Sequence, residues 1–430
     1  MRNRMYGGVR GRKTKVGRKL LRFPPTRLHN CSYFYIMNSY FPSKKPNTRI
    51  DVADVLRGIA IGGIILIHFV EHMNFFSYPE PSSAFWAGVN SAVQDVIFFL
   101  FAGKMYAIFA LLFGLSFFIQ HDNQAQKGRD FRLRFAWRMV LLMLFGLFDL
   151  LFYNGDILIV YAVCGLLVLP FIRASDKVLK WLAFILMLQP VELICIAVGL
   201  VNPEAAPLNL GSGKMYFSLM PVLRDGSFFD AAAAGIKYGL PVNFEWAIEN
   251  GRFTQNIMLF VVGILIGRKR LFYNEGDNLK FWDNLLMWSF VAMAVLIPMQ
   301  KNIPGLVEVP IISESLSTLL TMWRNLAMMS VIVSFVVTLF YESRCRAALL
   351  KIAPYGKMSL TNYIGQSIIG AFLFYGWGLG LHRFCGVTVS VLMGAVLVIL
   401  QCWFSTWWLK HHKRGPLEGF WHKLTWLNSK

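Results

Sequence analysis

Gly58-Ile59-Ala60-Ile61-Gly62-Gly63-Ile64-Ile65-Leu66-Ile67-His68-Phe69-Val70-Glu71-His72 is the stretch on which the reading of this chain turns. With its flanks, from Arg57 to Phe75, it is long enough for a helix to cross the apolar core of a bilayer. It ends in three ionisable side chains, His68, Glu71 and His72. Such groups are costly at membrane depth and face a bundle interior or a wet cavity. The stretch therefore predicts a membrane helix and marks its far half as the first place to look for function.

The remaining sequence agrees. Of 430 residues, 56% are hydrophobic and only 15% charged, and the mean hydropathy is +0.50. A soluble domain carries roughly a quarter charged residues. The fold class expected is all-α, a polytopic membrane helical bundle. About ten transmembrane segments are read, near 56–75, 97–119, 136–153, 156–173, 180–200, 254–268, 283–300, 319–340, 358–376 and 387–409. The stretch 93–119 is too long for one upright helix, so its first part is expected to tilt or lie in the interface.

The formal net charge of +20 resembles that of a nucleic-acid binder, but its placement points to topology instead. Lys and Arg gather in alternate loops: Lys127 to Arg134, Arg173 to Lys180, Arg268 to Lys280, Arg344 to Lys357, and the tail from Lys410. The loop 76–92 has none, and 377–386 has only Arg383. By the positive-inside rule both termini are expected in the cytoplasm of a bacterial inner-membrane protein, with the lipid bilayer as the main partner and no nucleic acid. Residues 1–48 form a basic segment expected to be disordered, and Met37 is the expected natural start. Residues 49–430 are expected to form a single transmembrane domain. Its one long extracytoplasmic segment, near 201–253, is either a lid or binding element or an interfacial cover. The six cysteines are isolated and give no disulfide framework.

Four further stretches carry a resemblance. They are Arg49-Ile-Asp-Val-Ala-Asp54-Val-Leu-Arg57-Gly58, Lys104-Met-Tyr-Ala-Ile-Phe-Ala-Leu-Leu-Phe113-Gly114, Asn154-Gly155-Asp156-Ile157-Leu158 with Tyr161, and Gly356 to Tyr375 closing on Arg414-Gly415-Pro416-Leu417-Glu418. On these the chain resembles the YeiB-type membrane proteins, the family catalogued as domain of unknown function 418. That family is more distantly similar to the transmembrane acyltransferases, which move an acyl group, typically from acetyl-CoA, to a sugar or other acceptor across the membrane. The resemblance implies a similar bundle and a possible acyl transfer, with acetyl-CoA or a similar acyl-CoA as co-substrate and no tightly bound cofactor. Relatives often carry a His shortly before the Gly-Asp-Ile-Leu motif; here the neighbourhood reads Leu147-Phe148-Asp149-Leu150.

Residue chemistry suggests where such a reaction would sit. Asp54 and Arg57 are three apart and can meet on one helix face. They read either as a helix anchor or as a site where Arg57 holds donor phosphates. His68 lies eleven residues on, about 16 Å deeper at the helical rise. It could take a proton from an acceptor, with Glu71 orienting it, or belong to a polar network between helices. Lys104 and Asp156 are expected near the same outer half, joining the site or pairing at the interface. Thr361, Asn362 and Gln366 share part of one face and either bridge helices or contact the donor. The string His68-Phe-Val-Glu71-His72 also matches an H-x-x-E-H zinc motif, but an apolar membrane helix is the wrong setting, and no metal site is assigned. The leading function is acyl transfer; the alternatives are a transporter or permease using the same buried polar groups, and a non-catalytic membrane partner.

Overall fold

The structure, a computed structural model, describes residues 47, 49–71, 73, 75 and 78–427. The expected Met37 start, almost all of the basic arm, and His72 lie outside the described residues. Every regular element among the described residues is helical. The chain enters as α1 (Asp51–Glu71), α2 (Ala84–Phe101) and α3 (Met105–Ala125). It continues through α4 (Arg132–Asp149), α5 (Leu158–Val168), α6 (Asp176–Met187) and α7 (Pro190–Val201). Three shorter helices follow, α8 (Ser212–Asp225), α9 (Phe228–Ala234) and α10 (Leu240–Glu249). Then come α11 (Arg252–Arg268), α12 (Asn278–Asn302), α13 (Pro310–Glu342), α14 (Arg346–Leu350) and α15 (Ala353–Lys357). The chain closes with α16 (Ser359–Phe374), α17 (Val387–His411) and α18 (Pro416–Thr425).

Solvation runs inside out relative to a soluble protein. Asp54, Lys104, Asp149, Asp156, Glu192 and Gln366 are buried, while Trp288, Phe290, Ile399 and Trp403 are exposed. Only 17% of the apolar window of α12 and 28% of that of α17 are buried within the chain. Apolar helices with bare outer faces and polar groups turned inward are what a bilayer selects, because lipid hydrates nothing. The membrane reading therefore holds.

The count of spans does not. Five helical stretches are long and apolar enough to cross: Asp51–Glu71, Ala84–Ala125, Asn278–Leu306, Pro310–Glu342 and Val387–His411. A sixth arises if α6 and α7, bent by 48° at Gln189, form one span. About ten were expected. The difference has physical causes. Arg132, Arg134 and Arg138 interrupt α4, α5 has only 11 residues, and α11 and α16 stop at 17 and 16. Hydropathy averages over such breaks; hydrogen-bonded helix length does not. The long stretch 93–119, whose first part was expected to tilt or lie in the interface, is split into two helices at Gly103, whose φ of +79° suits glycine best.

The centre is held by α3 packed along α11. A Cβ on Gly263 would lie 2.2 Å from the Leu111 carbonyl oxygen, and one on Gly114 2.1 Å from that of Phe260. Only glycine permits this backbone approach, the small-residue packing on which lipid-embedded helices rely. Helix α1 lies beside this pair and also packs on α15 and α17. Its two ends thereby face two different cavities.

Candidate functional site

The first cavity, about 320 Å³, sits at the C-terminal end of α1. His68 and Glu71 line it from α1, with Asp156, Asn154 and Tyr153 from the turn between α4 and α5. The His68 ring lies 4.5 Å from that of Tyr153, tilted by 33°, and meets Tyr363 edge-on at 6.3 Å. Asp156 accepts hydrogen bonds from the backbone N–H of Leu158 (3.1 Å) and Ile159 (3.0 Å), capping α5. Such a cap satisfies two of the orphan donors at a helix start. Gly146 makes room for it, since a Cβ there would lie 2.5 Å from Oδ2 of Asp156.

Part of the wall comes from the segment near 201–253. Ser212 and Tyr216 of α8, Asn243 and Trp246 of α10, and Arg252 at the start of α11 all line the cavity. Glu249 fastens α8 in place: its carboxylate accepts from the N–H of Leu210 (2.5 Å) and Gly211 (3.0 Å) and from the Ser212 hydroxyl. The segment thus contributes side chains to the cavity wall.

The second cavity, about 630 Å³, opens at the N-terminal end of α1. Arg49, Arg57, Arg138, Lys357, Lys413 and Arg414 line it, against the carboxylates of Asp54 and Glu418. Asp54 bridges Arg49 (2.8 Å) and Arg57 (2.6 Å). The other arm of Arg57 donates to the Ser116 hydroxyl at 2.7 Å, which in turn donates to the Leu112 carbonyl at 2.6 Å. Arg138 lies 4.0 Å above the Trp421 ring of α18. The tail is docked by Glu418, which accepts from the N–H of Leu360 (2.7 Å) and Thr361 (3.0 Å) and from the Thr361 hydroxyl (2.6 Å). The last long helix ends at His411, and Glu418 just beyond it docks the tail.

Ile64, Ile157 and Tyr363 line both cavities. The Tyr363 hydroxyl accepts from the Ile157 N–H at 3.3 Å. These three residues stand between the cationic cavity and the one holding His68.

The candidate residues are thus distributed as follows. His68, Glu71 and Asp156 share the first cavity; Asp54 and Arg57 share the second. Lys104 is buried between the lining residues Gly103 and Met105, and its ammonium donates to the Phe98 carbonyl at 3.3 Å. Asn362 lines neither; its amide donates to the Tyr355 carbonyl (3.1 Å) and the Ser405 hydroxyl (3.0 Å), a bridge between helices. Gln366 is fully buried on α16 and also lines neither. Sequence reasoning missed Arg252, Tyr153, Tyr363, Asn154 and Asn243 in the first cavity, and Arg138 and Ser116 in the second. Arg138 carried the one available signal, an Arg inside an apolar run. Asn154 and Tyr363 fall within the stretches that carry the family resemblance, and the others sit in ordinary helical or loop sequence.

Comparison with known proteins gives the class first. Residues 49–221 match the model for the catalytic region of heparan-alpha-glucosaminide N-acetyltransferase, and residues 266–428 match the model for a protein of unknown function, DUF418. The chain is 26% identical to uncharacterized protein YxaH of Bacillus subtilis over 89% of its own length and 95% of that protein. It is likewise 26% identical to uncharacterized protein YeiB of Escherichia coli, over 86% of this chain and 95% of YeiB. An uncharacterized 39.9 kDa protein of Bacillus acidopullulyticus matches at the same identity over 88% of this chain and 94% of its own. The resemblance to the YeiB-type family and to the acyltransferase group stands on these matches.

Proposed function

We propose that this protein transfers an acyl group from a cytosolic acyl-CoA-like donor, such as acetyl-CoA, to an acceptor on the far side of a bacterial inner membrane. Both termini would be cytoplasmic, which puts the Arg57 cavity inside and the His68 cavity outside. The observation that carries the reading is that the two cavities lie back to back, with Ile64, Ile157 and Tyr363 lining both. Six basic side chains suit the phosphates of a CoA-like donor, and Arg57 is already braced by Asp54 and Ser116 to present its fork. The pantetheine arm would pass between these three residues and bring the thioester toward His68.

In this reading the acceptor hydroxyl or amine attacks the thioester carbonyl. His68 takes the acceptor's proton, the new C–O or C–N bond forms, the C–S bond breaks, and the thiolate leaves to be protonated as free CoA. Glu71 would stabilise the imidazolium, and Asp156 would hold the α5 end of the cavity in shape. Asn362 and Gln366 would act through packing, while His72 is a candidate only on its place in the sequence. The match of residues 49–221 to an N-acetyltransferase catalytic region supports the same chemistry.

The test is binding and slow hydrolysis of labelled acetyl-CoA by the protein in nanodiscs. Saturable binding lost in Arg57→Ala, with turnover lost in His68→Ala, is the expected result. Absence of saturable binding in the wild type, together with solute flux across liposomes, would replace transferase with the transporter reading.

A further inference from the structure

We infer that the His68 cavity takes an acceptor bearing an anionic oxygen group, a carboxylate or a phosphate, and that Arg252 holds it. The word acceptor rests on the acyl-transfer reading; the anion site rests on the geometry of the cavity.

Arg252 opens α11 and is half-buried at the cavity wall. Its guanidinium carbon lies 3.8 Å from the centre of the Trp246 ring and 4.9 Å from that of Tyr106. Stacking of this kind covers the flat faces of the guanidinium and leaves its N–H groups, which point outward in its plane, for an oxyanion. Among the described residues Nε of Arg252 is buried and has no hydrogen-bond acceptor. A guanidinium withdrawn from water without a hydrogen-bonded partner is costly, and an anionic ligand would offset that cost.

The setting is fixed and it adds further donors. The Tyr106 hydroxyl donates to Oε1 of Gln255 at 2.5 Å, and the Gln255 amide donates to the Met322 carbonyl at 3.1 Å. The ring under Arg252 is thereby tied to α13. Asn154 and Asn243 line the same cavity, are 3% and 8% exposed, and each has a side-chain N–H group without an acceptor among the described residues. One fork and two amides match the several acceptor oxygens of a carboxylate or phosphate. Two acids share the cavity. Asp156 is turned to the N–H groups of α5, and Glu71 lies close enough for the charge of Arg252 to act on it. Arg252, Trp246 and Asn243 fall between the two stretches matched by family models, so no comparison assigns them a role.

The experiment measures equilibrium binding of labelled glucose, glucuronate and glucose 6-phosphate to the full chain in phosphatidylcholine nanodiscs, beside acetyl-CoA in the same samples. The quantity read is the ratio of anionic to neutral sugar affinity within each variant. We expect the wild type to favour an anionic sugar at least about tenfold, the size of one charge-assisted contact. Arg252→Gln should bring the ratio to about one. Arg252→Lys, which keeps the charge and loses the fork, should fall between the two and decides the matter if the Gln variant does not fold. Equal affinities in the wild type would overturn the inference. So would a preference that survives Arg252→Gln, because the anion would then be held by the Arg57 cavity. Repeating the wild-type measurement with phosphatidylglycerol discs identifies the source: competition by the lipid points to a lipid headgroup, and its absence to a soluble or glycan anion. Loss of acetyl-CoA binding in every sample, with the Arg252-dependent ratio intact, would remove the acyl-transfer reading and leave the anion site.

Discussion

The Arg57 cavity and the His68 cavity touch at three residues yet are assembled differently. The first is the larger, and its cations are held by partners already in place: Asp54 and Ser116 hold Arg57, and Trp421 backs Arg138. It tolerates concentrated charge because much of its lining belongs to helix ends and the tail. The second lies against the apolar heart of the bundle and carries a few polar groups of both signs, each resting on a different element. The contrast separates two tasks. One end is built to attract and hold charge; the other is built to position a small number of reactive groups.

That comparison can be broken or sharpened by substitution. The largest effect is expected at His68. His68→Ala should lower acetyl-CoA turnover by about 10²- to 10⁴-fold, the range of general-base catalysis, with donor affinity retained. If turnover and affinity fall together, the division of labour between the cavities fails. Next is Arg57→Ala, which should weaken donor binding by roughly 10- to 100-fold, equivalent to one or two charge-assisted contacts. Titrating acetyl-CoA at low and high salt should show that the loss is larger at low ionic strength; a salt-independent loss would point to misfolding instead.

Gly146→Ala sharpens the comparison at the other end. Its Cβ would lie 2.5 Å from Oδ2 of Asp156, so Asp156 must leave the start of α5. We expect a loss of turnover of roughly tenfold or less, smaller than His68→Ala because no proton-transfer group is removed, and faster amide exchange at Leu158 and Ile159. Unchanged exchange there would show that the cap does not hold the cavity wall. Glu418→Gln tests the inner end. Weakening three bonds to the head of α16 should cost about 1–2 kcal/mol, read as a lower thermal midpoint, with His68-cavity binding unaffected.

The smallest effect belongs to the loop between α3 and α4, away from both cavities. Hydrogen bonds from Arg132, aided by the Arg173 charge, hold the Asp130 carboxyl down to about 2. Because its value in the folded chain lies below the unfolded one, this group favours folding above the ordinary aspartate range and loses that contribution as pH falls toward 2. Melting curves of wild type and Asp130→Asn should therefore differ slightly at pH 5 and converge by pH 2. The salt bridge is largely exposed, so the difference at pH 5 should be small.

Much of this was legible beforehand. The apolar run with His68 and Glu71 at its end lines a cavity, as a buried charge in such a helix suggests. The Asp54–Arg57 pair forms as its i,i+3 spacing requires. Asp156 lines the same cavity as His68 and Glu71, although the ten-span count from which the sequence placed it there does not match the helices found. Lys104 came only as far as the wall, and Asn362 is engaged in a bridge to Ser405. A helical period identifies a face but not the helix opposite it. Nor could hydropathy set the number of spans, since Arg132, Arg134 and Arg138 stand within α4, and α5, α11 and α16 stop at 11, 17 and 16 residues.

What the sequence determined by itself is a helical membrane protein with its cations gathered between apolar runs and one helix charged in its far half. These are properties of composition and period, which the bilayer imposes on each segment separately. What only the tertiary structure decided is the pairing of the two cavities and the presence of Arg252, Asn154 and Asn243 in one of them. Those residues are more than ninety positions apart in part, and they meet because α3 and α11 approach through glycine and draw the segment between α7 and α11 over the end of α1. Contact across such a distance is fixed by packing, and no local pattern records it.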